Sequence, residues 1–189
     1  MENHFRVMQD YDGKIITKTA LEISPYVFLR PSELARSKWE FIDFEKSQWI
    51  IPVEIMKMRR DHLIPIPHQV KTLLEKLYPV TCNSEYIFPN ERDISKHMHS
   101  ETVNIILKRI NERKYKGVMV SHGFRSMAST ILNEHGFKAD VIEKQLAHQE
   151  KNKIRGAYNH AEYLEERAEM VQWYADYLDD LENKHFYSL

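Results

Sequence analysis

The sequence predicts a single α+β domain that is mainly helical, with a small antiparallel β-sheet near the front of the chain. The chain has 189 residues, and 42% of them are hydrophobic. This is enough for one sizeable hydrophobic core, and the length favours one domain over two. Apolar residues recur at helical spacing through most of the sequence. Two runs rich in Ile and Val, Gln48–Val53 and His62–Ile66, are separated by Glu54–Asp61 and predict a hairpin with a basic connection.

The first part of the chain combines helices with the strands of this sheet. Asp12–Gly13 is a turn signal, and apolar residues within Ile15–Ile23 then recur at helical spacing. Pro31 suits the first turn of a second helix, which we expect to reach toward Trp39. Phe41–Phe44 is a further strand candidate.

Five helices are predicted after the sheet. The first, His68–Tyr78, stops at Pro79 because proline has no amide N–H to continue the helix. The third takes Ser121 as its N-cap and Gly136 as its C-terminal stop. The last spans about 161–181 and sets an apolar stripe opposite its acidic side chains. That stripe comprises Leu164, Ala168, Val171, Ala175 and Leu178, and the two remaining helices are Ser100–Glu112 and Ala139–Leu146.

Composition excludes several classes of protein. No stretch approaches the roughly 20 uninterrupted apolar residues of a membrane helix, and we expect no membrane partner. The first residues have neither the basic nor the apolar region of a secretory signal. The single cysteine, Cys82, cannot form an internal disulfide, which favours a reducing cytoplasm.

Charge is distributed unevenly, although the formal net charge is only −1. Residues 161–189 hold eight acidic and two basic residues, which leaves 25 basic and 20 acidic residues in 1–160. A basic body could bind phosphates while an acidic tail points elsewhere. The same counts also describe ordinary solvated faces, so charge alone does not choose between them.

His122 and Arg125 form a His-x-x-Arg pair that could bind one anion. A spacing of three places both side chains on the same helical face, and backbone N–H groups at a helix start suit phosphate. Alone, the pair could equally be a surface histidine beside a surface arginine. The pair, however, is part of a larger set of residues that could carry out chemistry. In chain order the set is Arg30, Lys57, His122, Arg125, His148 and Tyr158.

This ordered set resembles the active site of the tyrosine recombinases, the phage integrase family. Three passages resemble integrases of satellite-phage-type prophages and genomic islands: Arg30–Leu34, Met56–His62 and Ala157–Arg167. The resemblance extends from about residue 12 to residue 181. It implies a site-specific recombinase of the bacterial cytoplasm that cuts and rejoins double-stranded DNA attachment sites through a 3′-phosphotyrosine, with neither metal nor other cofactor.

The resemblance also implies a role for each residue. Arg30 and Arg125 would clamp the nonbridging phosphate oxygens, since a guanidinium fork matches phosphate geometry. Tyr158 would attack phosphorus, and Lys57 would protonate the departing 5′ oxygen.

Two histidines and a carboxylate complete the set. His122 would assist proton transfer or steady the phosphate, His148 would donate a hydrogen bond to a nonbridging oxygen, and Glu33 would orient Arg30.

Some assignments have rivals. Arg59 and Arg60 compete with Lys57 and are separated from it only by family register, and Arg36 competes with Arg30. We expect further DNA contacts from basic side chains near the hairpin and the nucleophile, namely Arg59, Arg60, Lys151, Lys153 and Arg155. Four histidines invite a metal site, but no paired His-x-x-x-His with a carboxylate supports one; they are His62, His97, His99 and His135.

Two departures from the family pattern stand out. Family members often have Thr-Gly shortly before the first arginine, where this chain has Val27-Phe28, and many have glycine where it has Ala147. The chain resembles one catalytic domain, residues 1–189, without the N-terminal arm-binding and core-binding domains, so we expect a fragment or truncated gene. We expect a monomer or weak dimer alone and a homotetramer on DNA, with residues 161–189 docking on a neighbouring protomer.

Two other functions remain open at this point. A type IB topoisomerase-like nicking-closing enzyme uses the same chemistry without exchanging strands. A decayed prophage remnant would bind DNA without cutting it, although the intact catalytic set argues against decay.

Overall fold

The computed structural model describes residues 11–56, 61–110, 120–147 and 163–186, with side chains described to residue 181. The helices in these ranges are α1 (Ile15–Val27), α2 (Pro31–Ala35), a 3-10 turn (Trp39–Phe41), α3 (His68–Thr81), α4 (Thr102–Arg109), α5 (Ser121–Glu134), α6 (Ala139–Gln145) and α7 (Leu164–Phe186). The strands are β1 (Ile42–Asp43), β2 (Gln48–Ile51) and β3 (His62–Pro65).

Helix α1 forms the centre of the domain. It contacts α3, α4, α5 and α7, and its side chains Ala20, Leu21 and Ile23 are fully buried. A helix that is buried on several sides needs apolar residues around most of its circumference. The end of α1 therefore has little freedom, and the chain leaves it directly into the candidate site at residues 28–30.

The predicted hairpin is present within a three-stranded antiparallel sheet of order β1-β2-β3. Trp49 lies opposite Ile42 on one side and Ile64 on the other, and its side chain is fully buried. Ile50 points to the exposed face, as expected for alternation along a strand with one buried side. The sheet holds the two ends of the predicted basic connection at one edge of the core.

The prediction that His68–Tyr78 stops at Pro79 is wrong, because α3 continues to Thr81. Proline removes one backbone donor, which is a small loss in the last turn of a helix. The turn is closed by the Cys82 N–H, which donates to the Tyr78 carbonyl at 2.8 Å. Helix α1 likewise runs through Pro25 near its end.

Ser121 is the first residue of α5, and not its N-cap as predicted; the N-cap is Val120. The Ser121 hydroxyl and N–H both donate to Oδ1 of Asn104 on α4, at 2.8 and 2.7 Å. Asn104 thus accepts one of the N–H groups that the first turn of α5 leaves without a partner in its own helix. This contact fixes the start of α5, where the His-x-x-Arg pair lies, against α4.

The apolar stripe predicted for the last helix is wrong at two positions. Ala168 is exposed and Leu164 is only partly buried, whereas Arg167 is fully buried. The buried face of α7 packs on β3, α1, α5 and α6 of the same chain and comprises Arg167, Met170, Val171, Tyr174, Ala175 and Leu178. Docking of this helix on a neighbouring protomer remains a prediction.

The corrected register of α7 predicts different costs at two positions. Leu178→Ala removes a buried side chain and leaves a cavity, so we expect it to lower the free energy of unfolding by about 2–5 kcal/mol. Ala168→Gln, on the exposed face, should change it by less than about 0.5 kcal/mol. Urea denaturation of both variants measures the difference, and similar losses at the two positions would contradict this register.

Candidate active site

Arg30 lies at the N-terminus of α2, where Glu33 holds it twice. The Arg30 backbone N–H donates to Glu33 Oε2 at 2.9 Å, and its Nη1 donates to Glu33 Oε1 at 2.8 Å. Glu33 is 2% exposed and the Arg30 side chain is 18% exposed. The carboxylate thus fixes the guanidinium from the buried side, while part of it remains open to solvent. Burying an ion pair is favourable only when further hydrogen bonds accompany it, and the bond from the Arg30 N–H to Glu33 meets this requirement.

Arg125 lies on α5, and its guanidinium is almost fully buried, with 4% of the residue exposed. Its Nη1 donates to the Phe28 carbonyl, and its Nη2 donates to the Leu146 carbonyl at 2.5 Å. Within the described part of the chain, its buried Nε has no hydrogen-bond partner. Such a donor is costly to bury unpaired, so this edge of the guanidinium is suited to an anion.

The two guanidinium groups are close enough to affect each other. Burial is the main cause that lowers the pKa of Arg125 to about 10, and the positive charge of Arg30 acts in the same direction. The charges of Glu33 and Glu143 oppose the shift. Arg125 therefore remains charged at neutral pH. A bound anion would relieve the repulsion between the two arginines and offset the cost of burying Arg125.

Both carbonyls that receive Arg125 adjoin unusual backbone. Phe28 itself has φ of 54°, and Ala147, next to Leu146, has φ of 48°. These are left-handed conformations that side chains other than glycine rarely adopt. They fall at the two positions where the sequence departs from the family pattern. Phe28 retains a packing role, since its buried ring lies 5.2 Å from the ring of Tyr174.

His122 lies in the first turn of α5, three residues before Arg125, and its side chain is exposed. Its exposed position at the start of the helix contrasts with the burial of Arg125. An accessible imidazole can exchange protons with solvent and with a bound substrate.

The remaining predicted catalytic and DNA-contacting residues lie outside the described residues. They are Lys57, Arg59, Arg60, His148, Lys151, Lys153, Arg155 and Tyr158. The structure does describe the chain at the edges of their segments. The Asp61 carboxylate, at the end of the connection that carries Lys57, accepts the Val53 N–H at 2.8 Å.

A buried polar cluster formed by His62, Gln145 and Arg167 was not predicted from the sequence. Arg167 Nε donates to Gln145 Oε1 at 2.9 Å, and its Nη2 donates to the Leu63 carbonyl. His62 Nε2 lies 3.1 Å from the Gln145 carbonyl oxygen. The only sequence signal was the position of Arg167 on the apolar face of α7, one residue from the predicted stripe.

Neither a metal centre nor a membrane span is found in the ranges that the structure describes. No group of three His, Cys, Asp or Glu side chains in these ranges is placed to hold a metal ion. No helix among them is long and apolar enough to cross a bilayer.

The fold is that of the catalytic domain of tyrosine recombinases. The integrase from mycobacterium phage Brujita matches with a TM-score of 0.67 at 20% identity, over 90% of this chain and 55% of that one. The Tn1549 transposon integrase, solved in complex with transposon right end DNA, matches with a TM-score of 0.66 at 16% identity, over 89% of this chain and 62% of that one. The predicted fold class is confirmed.

The chain belongs to the phage integrase family, whose family description matches residues 3–165. Prophage integrase IntA of Escherichia coli (strain K12) is 49% identical over 147 residues, which are 78% of this chain and 35% of IntA. The integrase of Enterobacteria phage P4 is 40% identical over 189 residues, which cover 93% of this chain and 43% of that protein. The chain therefore spans less than half the length of these relatives, and the predicted family is confirmed.

The left-handed backbone at Ala147 predicts a stabilising substitution. An L-residue with a side chain in this region costs roughly 1–2 kcal/mol, which glycine avoids. Glycine loses about 0.5–1 kcal/mol more backbone entropy on folding, which offsets part of that stabilisation. Ala147→Gly should therefore leave the free energy of unfolding unchanged or raise it by up to about 1 kcal/mol. Thermal and urea unfolding measure the change.

Phe28→Gly is the matched comparison, because it relieves the same conformation but removes a buried aromatic ring. We expect it to destabilise the protein by about 3 kcal/mol. If Ala147→Gly also destabilised the protein by that amount, the left-handed backbone at residue 147 would not be strained as predicted.

Proposed function

We propose that this chain is the catalytic domain of a site-specific DNA recombinase. It cleaves and rejoins DNA through a 3′-phosphotyrosine to integrate or excise a prophage or genomic island. The observation that carries the proposal is the neighbouring pair of guanidinium groups, one held by Glu33 and one almost fully buried. Membership of the phage integrase family supports it.

In this mechanism Arg30 and Arg125 bind the nonbridging oxygens of the scissile phosphate. Negative charge on these oxygens grows as the nucleophile approaches, so fixed guanidinium donors stabilise the transition state more than the ground state. The Arg125 Nε is a candidate donor to one oxygen, and the solvent-facing part of Arg30 to the other. His148 donates a further hydrogen bond from the segment that follows Ala147.

Proton transfer and attack come from the other predicted residues. The Tyr158 oxygen forms a bond to phosphorus, and the bond from phosphorus to the 5′ oxygen breaks. Lys57 delivers the proton to that departing oxygen, while His122 assists removal of the phenol proton. The phosphotyrosyl bond stores the energy of the cut strand, and a 5′-hydroxyl from a partner duplex later reverses the step.

The partner of the domain is double-stranded DNA, which the Tn1549 integrase binds in its solved complex. Basic side chains at Arg59, Arg60, Lys151, Lys153 and Arg155 follow the phosphate backbone around the site. The active assembly is a homotetramer on paired attachment sites in the bacterial cytoplasm, with the last helix docking between protomers. Prophage integrases among the relatives favour this function over a topoisomerase or a non-catalytic remnant.

Tyr158→Phe tests the chemistry directly. Incubated with a nicked suicide substrate, the parent protein should form a covalent protein–DNA adduct, since the short product strand diffuses away and blocks reversal. Tyr158→Phe lacks the attacking oxygen and should form none while it still binds DNA. Denaturing gel electrophoresis measures the adduct.

Tyr163→Phe is the matched control, since it removes a phenol that lies five residues later in the sequence and has no role in the proposed reaction. It should form adduct like the parent. An adduct that survives in Tyr158→Phe, or a parent that forms none, would refute the proposed function.

Glu33→Gln tests how Arg30 is held. Glutamine has the shape of glutamate but no charge, so it loosens Arg30 and leaves two neighbouring guanidinium groups without their buried counter-charge. We expect the single-turnover cleavage rate to fall by about tenfold or more. Glu40→Gln, at an exposed carboxylate, should cleave at the parent rate. Equal rates for Glu33→Gln and the parent would contradict an orienting role for Glu33.

A further inference from the structure

The buried polar cluster joins three elements that are far apart in sequence. His62 begins β3, Gln145 ends α6 and Arg167 lies near the start of α7. Gln145 is 1% exposed and Arg167 is 0% exposed. Stability alone does not explain polar side chains buried this deeply, since apolar residues of similar volume commonly give equal or greater stability.

The contacts of Arg167 fix geometry in more than one direction. Its Nε and Nη2 donate to two different elements, the Gln145 side chain on α6 and the Leu63 carbonyl on β3. The planar guanidinium holds its donors at set angles, so it constrains how α6, α7 and β3 lie relative to each other. His62 adds a second link between β3 and α6 through the Gln145 carbonyl.

Each element of the cluster leads into a segment that carries a predicted catalytic residue. No cluster member is more than nine residues from one of them. The pairs are His62 with Lys57, Gln145 with His148, and Arg167 with Tyr158. The arginine pair is held by other contacts, from Glu33 and from the carbonyls of Phe28 and Leu146, and Leu146 directly follows Gln145.

We propose that His62, Gln145 and Arg167 are positioning residues for the recombination reaction. They set the relative positions of the three segments that bring the general acid, the second histidine and the nucleophile to the phosphate. This inference rests on the proposed function. Within the described residues, the hydrogen bonds of the cluster join β3, α6 and α7, and through these elements it would set where the proposed reacting groups lie.

Two mild variants test the cluster. Arg167→Lys keeps the charge and loses the fork, and Gln145→Asn shortens the side chain that Arg167 Nε contacts while keeping the backbone carbonyl near His62. The readout is the single-turnover rate of adduct formation on the nicked suicide substrate at saturating DNA. We expect both variants to lose about 10- to 100-fold in rate, with the dissociation constant for DNA unchanged.

Two controls separate positioning from general destabilisation. Lys138→Met breaks an exposed ion pair between the N-cap of α6 and Glu166 on α7, and should cleave at the parent rate. Val70→Ala in α3 removes buried methyl groups away from the cluster and lowers the melting temperature through packing alone. It should also keep the parent rate at a temperature where it is folded.

The leaving group provides a readout that a purely structural role would not move. With sulfur in place of the bridging 5′ oxygen, the bond from phosphorus to sulfur breaks and a thiolate leaves with the electron pair, without needing a proton. His62→Leu, five residues from the proposed general acid in the sequence, should be slow on the oxygen substrate and recover most of that lost rate on the sulfur substrate. Arg167→Lys, nine residues from the proposed nucleophile in the sequence, should remain slow on the sulfur substrate.

The outcomes are distinguishable. If the parent forms no adduct that depends on Tyr158, the proposed function fails and the positioning role fails with it. If the parent forms the adduct but Arg167→Lys and Gln145→Asn cleave at its rate, or slow only as much as Val70→Ala, the positioning role alone is wrong. Equal recovery of His62→Leu and Arg167→Lys on the sulfur substrate also overturns it.

Discussion

The candidate site depends on one interaction, the donation of hydrogen bonds from the Arg125 guanidinium to the carbonyls of Phe28 and Leu146. These carbonyls belong to the chain that leaves α1 and the chain that leaves α6. One planar group therefore brings together the segment that carries Arg30 and the segment that continues to residue 148. Because the guanidinium is buried, losing either acceptor would leave a charged donor unpaired in the core, which makes the arrangement difficult to alter.

The same interaction explains why left-handed backbone occurs at Phe28 and Ala147. To present its carbonyl to Arg125, each segment turns sharply just before its functional residue, and glycine makes such a turn at least cost. Phe28 offsets its conformational cost by packing its ring near Tyr174 in the core. Ala147 has only a methyl group to bury, so the adjacent hydrogen bond from Arg125 to the Leu146 carbonyl offsets more of the conformational cost there. Local strain of this kind is typical of functional sites.

The sequence predicted features that rest on local pattern. Runs rich in Ile and Val located β2 and β3 closely, and the family order predicted Arg30 and Arg125, which the structure places near each other. Features decided by tertiary contacts were missed. Position 167 or 168 could each continue the stripe of α7, since residues three and four apart share a helical face, and charge favoured Ala168. The carbonyl of Leu63 and the side chain of Gln145, which make burial of Arg167 favourable, belong to distant parts of the chain.

The site is thus built from two polar arrangements that differ in what they hold. Glu33 and the backbone carbonyls fix the two arginines from within, so the protein itself holds the guanidinium groups that the proposed function assigns to the phosphate. The cluster around Arg167 joins β3, α6 and α7 at residues that border the segments proposed to supply the proton and the nucleophile. A strand-transfer enzyme benefits from this division, because a fixed binding half locates the phosphate while the chemical groups must reach it, release it and reach it again in the reverse step. On this proposal the buried cluster sets the relative positions of β3, α6 and α7, from which those groups are presented.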